Sequence, residues 1–242
     1  MIRIALVLLF AFAATAAADP FVAGNAAAAH GDHPAAAASF ERSLADHGWS
    51  TNALFDLGNA YASSGQRGLA ILAYERARVL SPRDGAVATN LARTREAAGI
   101  APPPTSRMRS ELGRLSTDEW TWLAFAAALL AGAAVSAWGW WPRQRGRTGF
   151  VAAFGAAGAV FGFAAAIVVA PPSNAAVVIH SDSARIAPLA SAEEAFPAAE
   201  GETVQIEQRR ADYVYVRDGD RYGWLPATAL ERVLAPRAPA HT

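Results

Sequence analysis

The chain has 242 residues, of which 53% are hydrophobic and only 17% are charged, whereas a typical soluble domain carries about 25% charged residues. This shortfall excludes a single ordinary soluble globule and a disordered chain, and it indicates apolar segments that serve a membrane or an export pathway. The formal net charge is zero, so no global field attracts nucleic acid. The absence of cysteine excludes a disulfide framework, a thiol nucleophile and Cys-ligated zinc.

The charges are distributed unevenly along the chain. Residues 4–18, 120–142 and 148–181 contain no Asp, Glu, Lys or Arg. All 42 charged residues therefore lie in the rest of the chain, which has the charge content of ordinary soluble sequence. This pattern predicts a multidomain protein in which soluble modules alternate with apolar segments.

The first apolar stretch predicts a signal peptide at residues 1–18. Arg3 supplies a positive start, an apolar run follows, and Ala16-Ala17-Ala18 before Asp19 fits a small-x-small cleavage site. An uncleaved N-terminal anchor is the alternative. Both interpretations send the residues that follow across the membrane.

The second stretch predicts a transmembrane helix at 120–141. Ser116 and Glu119 form a capping-box pattern immediately before it. A helix of this length rises about 33 Å, which is enough to cross the hydrocarbon core. Tryptophans stand at both ends, as in the aromatic belts of membrane helices: Trp120, Trp122, Trp138, Trp140 and Trp141.

The third stretch predicts a second transmembrane helix at 149–170, which Pro171-Pro172 ends. Small residues at spacings of four predict close packing of the two helices; they are Gly158 and Gly162 on one helix, and Ala128, Gly132 and Ser136 on the other. The alternative is that an Ala-rich chain produces such spacings by chance.

The loop between the two helices, residues 142–148, carries three arginines and is predicted to be cytoplasmic. Arg107, Arg109 and Arg114 flank the first helix on its other side, so the charge signal alone is not clean. The signal peptide decides the orientation, because it exports the N-terminal part. Two spans then return the C-terminal part to the same outer side.

Residues 19–98 repeat themselves at an offset of 34. The matching segments are Gly24-Asn25-Ala26 with Gly58-Asn59-Ala60, Gly31 with Gly65, and Phe40-Glu41-Arg42 with Tyr74-Glu75-Arg76. This period is typical of tetratricopeptide repeats, and the second copy, about 51–84, resembles that family. We therefore expect an all-α tetratricopeptide solenoid, a further helix at 84–98 that caps it, and a linker at 99–115.

The resemblance implies a groove lined by the first helix of each repeat. The candidate groove residues are Phe21, Asn25, Phe55, Asn59, Asn90 and Arg93. By analogy with peptide-binding tetratricopeptide domains, Asn25 and Asn59 would hydrogen-bond the backbone of an extended ligand. The alternative is that these asparagines are solvated or pack between helices. Phe21 and Phe55 stand where a carboxylate clamp has Lys, which argues against capture of a C-terminal carboxylate.

Residues 175–235 change to short β runs separated by turns, with Asp218-Gly219 as a hairpin signal. The segment resembles bacterial SH3-like domains, small all-β barrels; the matching pieces are Ala184-Arg185-Ile186, Glu200-Gly201-Glu202-Thr203-Val204 and Tyr222-Gly223-Trp224-Leu225-Pro226. An aromatic ligand face is predicted from Tyr213, Tyr215, Tyr222 and Trp224. The alternative is that strand alternation sends half of them into the core.

The order of signal peptide, tetratricopeptide repeats, two-helix transmembrane hairpin and SH3-like domain resembles the BatE-type proteins of the Bacteroides aerotolerance (Bat) operons. This resemblance implies a scaffold in the bacterial inner membrane with both soluble modules on the periplasmic side. It implies protein partners, namely von Willebrand A-domain Bat proteins, a BatD-type protein and indirectly a MoxR-type ATPase. Membrane lipid contacts the hairpin, and no nucleic-acid partner is expected.

The sequence offers little for catalysis. His30 and His33, with Asp32 between them, are of metal-binding residue types, but no further ligand is evident and they are placed at a helix–helix turn. There is no phosphate-binding loop and no hydrolase or zinc-protease motif. We therefore expect a non-enzymatic adaptor without metal or cofactor. The alternatives are a cell-envelope sensor whose SH3-like domain binds peptidoglycan peptides, and a membrane enzyme that depends on His30 or His33.

Overall fold

The structure is a computed structural model that describes residues 19–101, 107–140 and 145–234. Residues 102–106 of the predicted linker and 142–144 of the predicted cytoplasmic loop lie outside these ranges. Three further predictions fall wholly or partly outside them. They are the signal peptide at 1–18, Trp141 at the end of the first apolar helix, and the last residue of the module predicted at 175–235.

The N-terminal region consists of paired helices, as predicted. Its five helices are α1 (Pro20–Ala29), α2 (His33–His47), α3 (Thr51–Ser63), α4 (Arg67–Leu80) and α5 (Gly85–Ala98). Helices α1, α3 and α5 are each followed within two residues by a glycine with positive φ, which a residue with a Cβ adopts only with strain. These glycines are Gly31, Gly65 and Gly99, spaced 34 residues apart, with φ of 77°, 80° and 70°.

Glycine also brings the two helices of each pair into contact. A Cβ on Gly24 would lie 2.6 Å from the Phe40 ring, and one on Gly58 would lie 2.5 Å from the Tyr74 ring. Both distances are far shorter than a van der Waals contact, so only glycine allows the rings to lie this close to the helix backbone. The repeat in the sequence therefore corresponds to two equivalent packing units.

Helix α5 is more than a cap, because it makes the contact that a third unit would make. The Tyr61 hydroxyl donates to Glu41, which lies on the preceding helix. Arg95 on α5 pairs in the same way with Glu75, and both of these residues stand 34 positions after the first pair. The spacing of Gly99 from Gly65 is the sequence signal for this third copy.

The predicted linker at 99–115 contains a short helix, α6 (Arg107–Leu112). The indole N–H of Trp120 donates to the Leu112 carbonyl at 3.0 Å, and Arg109 donates to the Ala170 carbonyl at 2.8 Å. These bonds hold α6 against the ends of the two long apolar helices that follow it.

The two long helices are α7 (Thr117–Trp140) and α8 (Arg145–Val169). The predicted capping box is present, since Ser116 N–H donates to Glu119 Oε2 at 2.8 Å and Glu119 N–H donates to Ser116 Oγ at 3.2 Å. The spans Thr117–Trp138 and Gly146–Val169 are long and apolar enough to cross a membrane, with mean hydropathies of 1.6 and 2.2. Most of their side chains are exposed, unlike those of a core helix.

Helices α7 and α8 are antiparallel and pack through small residues. Gly158 and Gly162 face α7 as predicted, and a Cβ on Gly162 would lie 3.1 Å from the Ala124 Cβ. The predicted row on α7 is wrong: Ala128, Gly132 and Ser136 are exposed. The contact row on α7 consists of Ala124, Ala127, Ala131 and Ala134.

The C-terminal region is an antiparallel sheet of seven strands. They are β1 (Ala175–Val178), β2 (Asp182–Arg185), β3 (Glu194–Ala198), β4 (Thr203–Arg210), β5 (Tyr213–Asp218), β6 (Arg221–Pro226) and β7 (Leu230–Arg232). Their order is β3-β2-β6-β5-β4-β1-β7, and the sheet does not close, because β3 and β7 each pair with a single strand. The all-β prediction is confirmed at this level, although the expected barrel is an open sheet.

Alternation along the strands builds the core of the sheet. Val214 and Val216 on β5 and Leu225 on β6 are buried, while the residues between them point to the other face. Asp218 pairs with Arg221 across a two-residue turn, which confirms the predicted hairpin. A bulge at Glu207 interrupts the pairing of β4 with β5 and bends the strand.

Candidate binding surfaces

The two phenylalanines of the predicted groove support the helix packing. The Phe21 ring packs against the Phe40 ring at a tilt of 55° with centroids 5.7 Å apart, and the Phe55 ring packs against the Tyr74 ring at a tilt of 54° and 6.0 Å. Both phenylalanines are half-buried. Each one covers the ring that contacts the glycine of its own helix, so these two side chains belong to the scaffold of the groove.

Asn59 and Asn90 are joined to each other. The Oδ1 atom of Asn59 accepts hydrogen bonds from the Tyr74 hydroxyl and from Asn90 Nδ2, both at 2.8 Å. Asp56 also hydrogen-bonds the Asn59 side chain. This network links α3, α4 and α5, which favours the packing alternative for Asn59 and Asn90.

Asn25 and Arg93 have a different environment, because both are exposed. They stand 34 residues on either side of Asn59, at the equivalent positions of α1 and α5. The row of equivalent positions therefore has exposed polar side chains at its two ends and the bonded Asn59 in its middle. A ligand along this row would find free hydrogen-bonding groups at the ends.

Burial around this network shifts two titrating groups. Burial raises the pKa of the Tyr74 hydroxyl from 10.0 to about 12. Burial also raises the pKa of the Asp56 carboxyl above its usual value, while its hydrogen bond with Asn59 acts in the opposite direction. The ionised forms of Tyr74 and Asp56 are thus disfavoured in the middle of the row, because burial partly removes these groups from water.

The four aromatic residues predicted to form a ligand face, all on β5 and β6, lie on one face of the sheet. Tyr215 pairs with Trp224 across β5 and β6, and Tyr213 and Tyr222 follow at spacings of two. None of the four side chains is buried. The alternative that half of them belong to the core is therefore wrong, because strand alternation sends their neighbours Val214, Val216, Gly223 and Leu225 inward.

The rings on this outer face contact one another. Tyr215 lies 5.1 Å from Trp224 and 6.2 Å from Tyr222 between ring centroids. Arg217, which pairs with Tyr222 in the register, donates to Glu207 at 3.1 Å and to Gln205. The surface is thus an aromatic strip bordered by a guanidinium and amide group, which suits flat apolar or hydrogen-bonding ligands.

The helical region and the sheet are joined through Arg76 of α4. Its guanidinium donates to the carbonyls of Arg232 at 2.9 Å and Val233 at 3.2 Å, and pairs with Glu231 at 2.7 Å. The same group lies 5.1 Å from the centre of the Trp49 ring. Arg76 thereby covers part of the outer edge of β7. It also donates hydrogen bonds to the carbonyls of the last residue of β7 and of the residue that follows.

Two glycines allow the helical region and the sheet to come into contact at the other end of α4 as well. The Gly68 N–H donates to Glu200 Oε1 at 2.6 Å, and a Cβ on Gly68 would lie 2.8 Å from the Val178 carbonyl oxygen. A Cβ on Gly201 would lie 2.5 Å from Ile71. Sequence reasoning missed this junction, since Arg76 looks like its repeat partner Arg42 and no local signal separates them.

An open cavity of about 320 Å³ lies beside this junction. Leucines of α2, α3 and α4 line it, and Trp49, Tyr61, Arg76 and Glu231 form its polar side. The Tyr61 hydroxyl donates to Glu41 at the same place, and burial raises its pKa. The cavity separates the first helix pair from the sheet.

His30 and His33 lie at the turn between α1 and α2, where His30 is exposed and His33 is half-buried. Within the described part of the chain, no group of three or more His, Asp or Glu side chains is arranged to hold a metal ion. No protein-family model matches this chain, and no curated protein sequence matches it either.

Proposed function

We propose that the protein is a membrane-anchored adaptor that binds protein partners outside the cytoplasm. In this proposal the paired helices are a tetratricopeptide solenoid, and the seven-stranded sheet is an SH3-like module. The observation that carries it is the presence of two separate surfaces on one anchored chain: the row with exposed Asn25 and Arg93, and the aromatic strip around Tyr215. Two weak sites on one anchor reinforce each other through effective concentration.

The resemblance to BatE-type proteins specifies the partners of this adaptor. They are von Willebrand A-domain Bat proteins and a BatD-type protein, with a MoxR-type ATPase attached indirectly. The adaptor lies in the bacterial inner membrane, with its soluble modules on the periplasmic side and the arginine-containing loop at 142–148 in the cytoplasm. The adaptor carries out no chemistry of its own.

Co-purification from native membranes in mild detergent tests the proposal. The full chain should recover membrane proteins of the Bat type, and the double variant Asn25→Ala with Arg93→Ala should recover less, because both side chains are exposed and contribute to binding rather than to folding. Arg42→Ala, at an exposed position outside both surfaces, is the matched control. A chain that purifies alone under these conditions contradicts the proposal.

Accessibility of an added cysteine tests the orientation. The natural chain contains no cysteine, so Arg145→Cys and Asp220→Cys each carry the single reactive thiol. In intact cells with a permeable outer membrane, a membrane-impermeant reagent should label position 220 and leave position 145 unlabelled. Labelling at 145 would reverse the proposed topology.

A cell-envelope sensor is the second candidate, and the aromatic strip favours it, since stacked aromatic rings also bind sugar rings and peptides. The full chain in detergent should then sediment with purified sacculi, and Trp224→Ala should weaken sedimentation. If the natural chain stays in the supernatant, the peptidoglycan-binding candidate is wrong, whereas the adaptor is unaffected.

A further inference from the structure

The short helix α6 is attached at the level where the two apolar helices end. Gly162 of α8 faces Ala124 of α7. Because α7 and α8 are antiparallel, the residue eight positions after Gly162 is level with the residue eight positions before Ala124. These two residues are Ala170 and Ser116. The Ala170 carbonyl accepts a hydrogen bond from Arg109 of α6 at 2.8 Å, so α6 is held where α8 ends and α7 begins.

Trp120 fixes the depth of α6 more closely. It is the first residue of the charge-free stretch on α7, and its ring packs edge-on against Phe161 of α8 with centroids 5.8 Å apart. The same indole donates to the Leu112 carbonyl at 3.0 Å. Tryptophan at the end of a membrane helix lies at the level of the lipid headgroups. In a membrane, the end of α6 therefore lies at that level as well.

Helix α6 and the turn after it have an apolar flank and a polar flank. Met108, Leu112 and Leu115 recur at spacings of four and three, which places them in one row on a helix. The helical turn extends to Leu115, whose N–H donates to the Leu112 carbonyl at 3.2 Å. Ser110 lies about 200° around the helix from Met108, since 3.6 residues make one turn. The two side chains therefore point in nearly opposite directions.

The apolar flank continues the apolar surface of the hairpin. Met108 is 62% exposed, whereas Leu112 and Leu115 are half-buried. On α7, Trp122 and Leu123 are exposed within one turn of the residue that binds α6. Exposed apolar side chains thus begin on α6 and extend along the two helices that are long enough to cross a membrane, so lipid is the partner that covers both.

The charged side chains of α6 suit the same environment. Residues 107–115 carry three Arg and one Glu. Arg107 is exposed, and Arg114 pairs with Glu111 at 3.1 Å. Arginine side chains at a membrane interface lay their apolar stems along apolar surface and keep the guanidinium in the polar layer.

We propose that α6 rests on the lipid bilayer, with its apolar flank turned to the acyl chains and its polar flank turned to water. This inference relies on the membrane anchoring included in the proposed function. A helix with one apolar side lies in the plane of the interface and binds it through the apolar area that it buries. Because the helical region is connected to the hairpin through α6, this contact fixes the height of the helical region above the bilayer.

Fluorescence quenching in nanodiscs tests the inference on the full chain. Met108→Cys and Ser110→Cys each place one environment-sensitive label on α6, on opposite flanks, and both positions are exposed. Nitroxide-labelled phosphatidylcholine should quench the label at 108 severalfold more than the label at 110. Iodide in the buffer should quench the label at 110 more than the label at 108. The two positions are equally close to the hairpin along the chain, so the comparison reports the orientation of α6.

A third label separates the two levels of the proposal. Val160→Cys carries it on α8, where the side chain is 71% exposed. If lipid quenches position 160 and leaves 108 as open to iodide as 110, the contact of α6 is wrong and the membrane anchoring stands. Stronger lipid quenching at 110 than at 108 also overturns the contact, because the polar flank would then face the membrane. If lipid reaches neither 160 nor 108, the anchoring itself is wrong, and the contact of α6 is wrong with it.

Discussion

The first helix pair, α1 and α2, packs in the same way as the second pair, α3 and α4, but the polar side chains of the two pairs have different partners. Both have a ring packed on a glycine, but Asn25 and Arg42 are exposed where Asn59 and Arg76 are bonded. The second pair has helix α5 on one side and the sheet on another, whereas the first pair lies at the end of the series. The repeat therefore preserves the packing of the helices, whereas the hydrogen bonds made at its polar positions depend on which elements lie beside them.

The largest expected difference between the two pairs concerns their equivalent carboxylates. Glu75 is buried with Arg95, whose Nε atom already has no partner within the described residues. Glu75→Gln leaves a buried guanidinium without its counter-charge, and we expect the unfolding free energy of the helical region to fall by about 3–5 kcal/mol. Thermal unfolding followed by far-ultraviolet circular dichroism in detergent measures this.

Glu41→Gln is the matched control for that prediction. Glu41 is exposed and its bond with Tyr61 survives in an amide, so the expected loss is below about 1 kcal/mol. Equal losses from the two variants would show that burial does not distinguish the two pairs.

The glycines at the helix crossings should behave alike. A methyl group at Gly58 or Gly24 meets a buried ring, and we expect each Gly→Ala substitution to cost about 1–3 kcal/mol through overpacking. Gly85 at the start of α5 has nothing within 4 Å of an added Cβ, so Gly85→Ala should be neutral or slightly stabilising. The same unfolding measurement applies, and a neutral Gly58→Ala would contradict the close helix contact.

The two equivalent arginines should differ in their effect on the sheet. Arg76→Ala removes three hydrogen bonds and the cover of β7, and we expect opening of the junction to become easier by about 1–2 kcal/mol. Hydrogen exchange of the β7 amides reports this opening directly. Arg42→Ala, which is exposed, should leave exchange in β7 unchanged.

The smallest expected effect is a pH dependence that only the second pair possesses. The folded state raises the pKa of Tyr74 from 10.0 to about 12 because its hydroxyl is buried. The folded state therefore retains a proton that the unfolded chain has lost, and this contribution to stability is complete below pH 10 and disappears as the pH rises to about 12.

Tyr74→Phe introduces the phenylalanine ring that the first pair has at the equivalent position, Phe40. The variant should lose less of its unfolding free energy as the pH rises in the alkaline range. Tyr61, whose pKa burial also raises, keeps the remaining slope in the variant. Urea unfolding at several pH values between 9 and 12 measures the change, with the range set by the ordinary tyrosine pKa of about 10. An unchanged slope would mean that Tyr74 does not titrate on unfolding.

Features that depend on neighbours along the chain could be predicted from the sequence. The glycine and ring pairs, the capping box of Ser116 with Glu119, and the hairpin turn at Asp218 all depend on local spacing. The aromatic strip was one of two predictions for these strands, because strand alternation was also expected to send half of the four rings into the core. The third helical unit was missed, because Ala92 and Arg93 stand where the first two copies have Gly-Asn.

Features that depend on distant partners could not be predicted. Helix α7 carries two rows of small residues, and only the structure distinguishes the row at Ala124 from the row at Gly132. The bonds of Asn59 come from two other helices. The junction of Gly68 with Glu200 joins residues 132 positions apart, and no periodicity encodes such a contact.

The pairing of β7 with β1 has a consequence for how the protein is made. β1 is the first strand of the sheet to leave the ribosome and β7 follows the other six, so the sheet stays incomplete until residue 232 has been synthesised. Helix α4 is synthesised well before then, and Arg76 gains its partners in the sheet only when residues 231–233 have followed. A chain that stops before β7 would therefore leave the edge of β1 unpaired and would leave the Arg76 guanidinium without its three hydrogen bonds to the sheet.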